Sequence, residues 1–357
     1  MAGPRQHVLP RFLIKGFASR IRKGQVYCWL FRKNSKPFET NINNVAVAKS
    51  FYTEKDDTDV DDSITEAEKR FNSLVTRLRS YQKSTEIQDL TIPEFIAHLE
   101  VRTRHIRETF SDSARTLVSE FCKHIQDTEL IKNIALKEIT SDRSLLSDAI
   151  EEELKKYGLS VPSSLKDLLV SFGQNHAGEF IRAIEPHLRL LAEMVAKELP
   201  KRIPKAAKEG HLKALRETLA PEFRIEIYGT LRFQVSVISE ENLVLGDNGV
   251  LFEVDAPKRF KTFLEKKDSL RSVYLPISRD RVLIGRSTSI SEVLPTKLLN
   301  EALAACSSEF FIAAQNRPHI AELSRLIGTK SKILTDEEIR HIVAEFIEKK
   351  NERRQFQ

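Results

Sequence analysis

Two kinds of apolar spacing divide this chain, and together they restrict it to folds that keep helices and strands in separate stretches. From Ile64 to Leu78 the apolar residues Ala67, Phe71, Leu74, Val75 and Leu78 recur at the three-and-four spacing of one helix face. Thr91-Ile92-Pro93-Glu94 opens a second helix with proline in its first turn. The spacing predicts that this helix runs unbroken to about His124 and buries Phe95, Leu99, Ile106, Phe110, Leu117 and Phe121. Further helices are expected over 143–157, 164–173, 178–199 and 205–219, separated by Pro162, Pro200 and Pro204. At Pro221 the pattern changes to short, closely spaced β-branched and aromatic runs, 223–228, 231–237, 242–245, 250–254, 272–277 and 281–285, punctuated by Gly229, Gly246, Gly249 and Pro276. A helix over 297–306, a strand over 310–313 and closing helices near 319–327 and 336–349 complete the pattern.

Upstream of the first helix, residues 25–32 (Gln-Val-Tyr-Cys-Trp-Leu-Phe-Arg) follow Lys23-Gly24 and read as a strand after a turn, with a second short strand near 45–47. The expected fold is α+β: a small N-terminal β element over 1–60, a helical layer over 61–220, and a C-terminal mainly antiparallel or mixed sheet with closing helices over 221–357. The C-terminal sheet is expected to pair with the N-terminal strand and share its core. In the apolar segment at 8–17, Phe12, Leu13 and Phe17 are expected to bury against the body.

Charge is distributed unevenly. Residues 1–50 carry ten Lys or Arg against one acid, Glu39, a net of +9, whereas residues 51–68 carry eight acids against Lys55, a net of −7. The acidic stretch has a structural explanation at the positive end of the helix that follows, with Asp62 or Ser63 as cap. Residues 258–286 add nine Lys or Arg against three acids. Such basic blocks permit weak, salt-sensitive contact with nucleic acid, with Arg11 and Lys15 among the binding candidates. No apolar run approaches the roughly 18 residues of a membrane span. Cys28, Cys122 and Cys306 show no paired spacing, which argues against a disulfide framework or zinc ribbon and points to a reducing cytoplasm.

The residues resemble a bacterial family known as domain of unknown function 4238. The likeness lies in His7-Val8-Leu9-Pro10-Arg11-Phe12-Leu13 and Phe17, in Asn44-Val45-Ala46-Val47 and Phe51-Tyr52-Thr53, in the helix glutamate Glu68, and in Arg102-Thr103. It continues through Gly246-Asp247-Asn248-Gly249, Leu275-Pro276-Ile277-Ser278 and Leu299-Asn300. Arg104, Gly246 and Gly249 depart from the family pattern. The resemblance implies a shared fold and supplies no activity.

The polar positions on that pattern are His7, Asn44, Glu68, Arg102, Asp247, Asn248 and Asn300. As a set they could hydrolyse a phosphodiester in a nuclease-type effector, with His7 as general base or acid, Arg102 steadying the phosphate, and Glu68 and Asp247 orienting His7 or holding a divalent ion. Asn44, Asn248 and Asn300 would contribute to binding. The same residues could equally build a non-catalytic nucleic-acid- or protein-binding module, with Glu68–Arg102 as an interhelical ion pair and Asp247-Asn248 as an Asx turn. His98 and His105 stand seven residues apart, about 10.5 Å along a helix, too far to share one ion, and are expected on a solvated or loop-facing polar stripe with Arg102. No HExxH, GxxxxGK[ST], GxGxxG or GxSxG motif is present.

Overall fold

The computed structural model describes residues 5–53, 57–125, 132, 136–137, 139–239, 241–287 and 294–355. Two compact units emerge, Met1–Ser111 with Lys205–Thr335, and Asp112–Pro204 with Asp336–Gln357. The fold is α+β.

In the first unit, β1 (Arg5–His7) leads through the short helix α1 (Arg11–Lys15) to β2 (Arg20–Arg22), β3 (Gln25–Arg32), β4 (Phe38–Asn41), a 3-10 turn at Ile42–Asn44, and β5 (Val47–Lys49). Two helices follow, α2 (Asp59–Ser80) and α3 (Thr91–Arg102), with β6 (Thr85–Ile87) between them. Helix α2 begins three residues earlier than Asp62: Asp59, Asp61 and Asp62 fill its first turn, where the helix dipole favours negative charge. It buries Val60, Ile64, Phe71, Leu74, Val75 and Leu78.

The helix expected to run to His124 is broken. It ends at Arg102, Thr103 is extended, and α4 (Arg104–Ile125) starts anew. The break frees two backbone carbonyls that side chains then satisfy: the Tyr52 hydroxyl donates to Arg102 O at 2.8 Å, and His211 Nε2 lies 2.7 Å from Val101 O. Because the chain turns here, His98, Arg102 and His105 are all buried, and they form no solvated stripe.

Three further segments depart from the sequence pattern. Helix α7 (Ala177–Glu217) contains Pro186, Pro200 and Pro204 and runs through the last two, where the sequence pattern separates two helices. Pro186 and Pro204 are exposed and Pro200 is half-buried, so the carbonyls they leave unpaired can be solvated. Residues 222–229 form helix α8 (Glu222–Gly229), not a strand, because Arg224 and Tyr228, one turn apart, both reach the buried Glu100 carboxylate. Phe12 is half-buried, while Leu13 and Phe17 are fully enclosed.

The C-terminal strands build two antiparallel sheets. The larger runs β10 (Phe260–Lys261), β9 (Leu251–Val254), β11 (Leu270–Ser278), β12 (Arg281–Arg286), β7 (Arg232–Val237), β6. The smaller runs β2, β3, β13 (Phe310–Ala313), β8 (Leu245–Gly246), with β4 on the opposite edge of β3, and β1 pairs with β5. Strand β13 pairs directly with β3, joining the two ends of the unit, and Phe31 stacks on Phe311 with ring centroids 4.8 Å apart. Helix α9 (Thr296–Cys306), the short helix α10 (Pro318–Glu322) and a 3-10 turn at Leu323–Leu326 complete this unit.

The second unit is helical. It contains α5 (Arg143–Lys156), α6 (Ser163–Asn175), the earlier part of α7, the later part of α4 and α11 (Asp336–Gln355). Phe121 and Phe346 meet edge to face within it. Among the described residues no helix is long and apolar enough to cross a membrane.

Candidate functional site

The buried guanidinium of Arg102 gathers much of the first unit's polar chemistry. Its Nη1 reaches Glu68 Oε1 on α2 at 2.5 Å, its Nη2 donates to the His7 carbonyl at 2.9 Å, and its Nε faces the Tyr52 hydroxyl at 3.4 Å. His98 Nε2, one turn back on α3, lies 3.1 Å from Nη1. Since a guanidinium has no acceptor, that nitrogen accepts; Nδ1 then carries the proton toward Leu219 O, 3.2 Å away. Burial opposes charge on Arg102, but Tyr52 and Glu68 outweigh it and its pKa is raised. For His98, burial and the adjacent Arg102 hold the pKa well below the ordinary value, so the imidazole is neutral.

His7 completes this group. Burial first, then the charge of Arg11, press its pKa down to about 4, against the Ile42 carbonyl and Glu68. Its Nε2 is buried without a hydrogen-bond partner among the described residues. Nearby, Gln6 accepts from the Tyr52 backbone N–H at 2.7 Å, and burial raises the pKa of Asp61 beside Gln6. The structure therefore brings His7, Glu68 and Arg102 together around one cation.

Asp247 belongs to a different set. Its carboxylate accepts from the backbone N–H groups of Ser308 (2.9 Å), Glu309 (2.6 Å) and Phe310 (3.2 Å), fixing the turn into β13. Burial pushes its pKa up to about 6 despite those three donors. A small cleft beside this turn is lined by Val8, Asn44, Arg104, His105, Asp247 and Ser308. His105 sits between the Ser308 hydroxyl and Thr262 Oγ1, with burial holding its pKa down to about 4.

The amides are mostly structural. Asn300 accepts from Val244 N–H and donates to Asn242 O, both at 3.0 Å, clamping the chain before β8. Asn44 is exposed and accepts from Arg5 at 3.0 Å. Asn248 is buried with neither amide atom bonded among the described residues. Arg11 and Lys15 are exposed on α1. Among the described residues, no three His, Cys, Asp or Glu side chains gather in a way that could hold a metal ion.

One surface went unnoticed in the sequence although its signal was there. From Tyr27 to Leu30 strand β3 alternates, burying Cys28 and Leu30 on one face and leaving Tyr27 and Trp29 half-exposed on the other, while Phe31 beyond Trp29 is buried. Antiparallel pairing sets Arg20 opposite Tyr27 and Arg22 opposite Gln25 on β2, and Asn41 opposite Tyr27 on β4. Arg20 lies over the Tyr27 ring, 5.1 Å from its centroid, and pairs with Glu39 at 2.6 Å. Two aromatic rings thus share one strand face with two arginines, an arrangement on which bases can stack while cations meet phosphates. Alternation over 25–32 predicts which residues share this face, but the positions of β2 and β4 beside it depend on turns that carry little signal.

Neither a curated protein nor a solved structure matches the chain. A family match covers residues 5–352, from β1 to the last turns of α11 and so across both units. The chain accordingly belongs to the family described as "Protein of unknown function (DUF4238)".

Proposed function

We propose that this protein binds single-stranded nucleic acid without cleaving it, through the β2–β3–β4 face. The observation that carries the reading is the placement of Tyr27 and Trp29 on one strand face with Arg20 and Arg22 at the register positions beside them. The net of +9 over residues 1–50 supports it, since a basic surface supplies the sequence-independent part of such binding. The engagement of Arg102, Asp247 and Asn300 in hydrogen bonds that hold elements together also favours a structural polar network over a catalytic one. The free, buried thiols of Cys28, Cys122 and Cys306 fit a reducing compartment such as the cytoplasm.

Trp29 is the one tryptophan in the sequence, so its fluorescence reports directly on the face. Titration with an oligothymidylate should quench it, at roughly micromolar affinity or weaker and with a steep decline as salt rises. Trp29→Ala and Tyr27→Ala should each weaken binding by about 1–3 kcal/mol. Unchanged fluorescence, or equal affinity for duplex and single strand, sinks the reading.

Phosphodiester hydrolysis at His7, Glu68 and Arg102 is a second reading, and the unpaired Nε2 of the neutral His7 favours it. Its test is cleavage of labelled RNA and DNA with and without a divalent cation. Activity that disappears in His7→Ala without a change in melting temperature would support it.

A further inference from the structure

Across three neighbouring strands of the larger sheet, Ser272 on β11, Arg286 on β12 and Arg232 on β7 stand in one row, set by the register pairs Ser272↔Arg286 and Arg286↔Arg232. Directly opposed residues in antiparallel strands project to the same face, so these three side chains are neighbours. The Nε and Nη2 atoms of Arg286 are buried and have no hydrogen-bond partner among the described residues. They form one edge of the guanidinium, the fork that binds a carboxylate or phosphate through two parallel bonds. The Ser272 hydroxyl is also buried without a hydrogen bond of good geometry, although Tyr274 stands beside it.

Of the acids near this row, Glu253 and Asp89 are already engaged, whereas Glu86 stands on the exposed wall of the cleft. Glu253, next in the row beyond Ser272, takes Arg259 on Oε1 at 2.6 and 2.8 Å and the Tyr274 hydroxyl on Oε2 at 2.8 Å. Asp89 pairs with Arg77 and accepts from Thr91 N–H at 2.8 Å. A buried guanidinium edge left unpaired is costly, and natural structures keep one where a ligand or ion completes it.

Arg286 and Arg232 both line a cleft of about 760 Å³, with Gln88, Gln234, Glu86 and Ser287 among its walls. We infer that this cleft is a binding site for a phosphate monoester, with the phosphate held between Arg286 and Arg232. Two adjacent guanidiniums match the charge of a phosphate monoester dianion, about −2 near neutral pH, better than that of a single carboxylate. The volume lies within the range of small-molecule sites and exceeds what a bare phosphate fills. The remainder therefore accommodates an organic group, with Gln88, Gln234 and Glu86 offering amide and carboxylate partners to its hydroxyls or ring nitrogens.

Calorimetric titration of the full chain with inorganic phosphate, a nucleoside 5′-monophosphate and a dicarboxylate such as malonate, at matched ionic strength, tests the site. Phosphate and the nucleotide should bind and malonate should bind more weakly. A nucleotide that binds more tightly than phosphate identifies an organic phosphate as the ligand, whereas equal affinities identify free phosphate. Arg286→Gln should weaken binding at least about tenfold, the loss expected for a charge-assisted bidentate pair. Arg286→Lys keeps the charge and lacks the fork, and it should weaken binding as well. Arg232 is exposed, so Arg232→Gln should fold normally and weaken binding about threefold or more, which keeps the test open should Arg286→Gln fail to fold. No heat with either phosphate compound, tighter malonate binding, or unchanged affinity in both the Arg232→Gln and Arg286→Lys variants overturns the inference. Oligothymidylate quenching of Trp29 is a separate readout, so failure here leaves the β2–β3–β4 reading standing.

Discussion

At the scale of single residues, burial of polar side chains dominates, and histidines carry the most testable part of it. His7, His105 and His211 are each held down to about 4, chiefly by desolvation, with Arg11, Lys258 and Arg107 respectively as the next cause. A histidine whose pKa falls on folding contributes stability that is present above its unfolded value near 6.5 and is lost as pH falls toward 4. Asp247, raised to about 6, has the opposite sign: its contribution is present below the ordinary carboxylate value and lost as pH rises through 6. The two effects oppose each other between pH 4 and 6. Histidine ring signals followed by NMR should therefore show these three imidazoles still neutral at pH 5.5. A midpoint near 6.5 for His7 would mean that its ring meets water and that the buried cluster around Arg102 is open.

Among elements, Arg102 ties α2, α3 and β1 together through one buried guanidinium. Arg102→Leu removes the partner of Glu68, of the His7 carbonyl and of His98 at once, and it should destabilise the fold by about 3–5 kcal/mol in urea unfolding. Glu68 lies nearer the surface, so Glu68→Gln should cost clearly less; equal losses would count against the buried hub. Much of this layer was legible in the sequence. The periodicities at 64–78 and 297–306, and the β-branched runs at 231–237, 250–254, 272–277, 281–285 and 310–313, all fall on matching elements. Failures came where a tertiary contact overrode a local signal. Residues 223–228 look like a strand until Arg224 and Tyr228 are seen to share Glu100, and the break at Thr103 depends on Tyr52 and His211 arriving from distant positions. Arg102 bonds the Glu68 carboxylate and the His7 backbone carbonyl, so the tie to His7 is one that no side-chain pattern encodes. Nothing in the sequence indicated that Asp247 would serve the turn at 308–310, because backbone N–H groups carry no residue signature.

For the whole molecule, the feature that matters most is that the first unit is assembled from two stretches far apart in sequence, 1–111 and 205–335. Strand β13 lies between β3 and β8, and Arg79 on α2 bonds the carbonyls of Leu13 (3.1 Å) and Ile277 (2.7 Å). Deleting residues 5–32 should therefore not merely trim an arm. It should abolish cooperative unfolding of the remainder, seen as a loss of the sharp thermal transition by circular dichroism; a deletion variant that melts as sharply as the full chain would show that the C-terminal sheet stands alone.

The pairing of Trp29 with Ala313 also sets a schedule for the ribosome. Strand β3 leaves the exit tunnel roughly 280 residues before its neighbour β13 exists, a wait on the order of 15–60 s at 5–20 residues per second. Throughout that interval the nascent chain displays an aromatic strand with one open edge and a buried-type face of Cys28 and Leu30 turned outward. The nine excess positive charges over residues 1–50, whatever they bind in the finished protein, also keep neighbouring nascent chains apart while this strand waits for its partner.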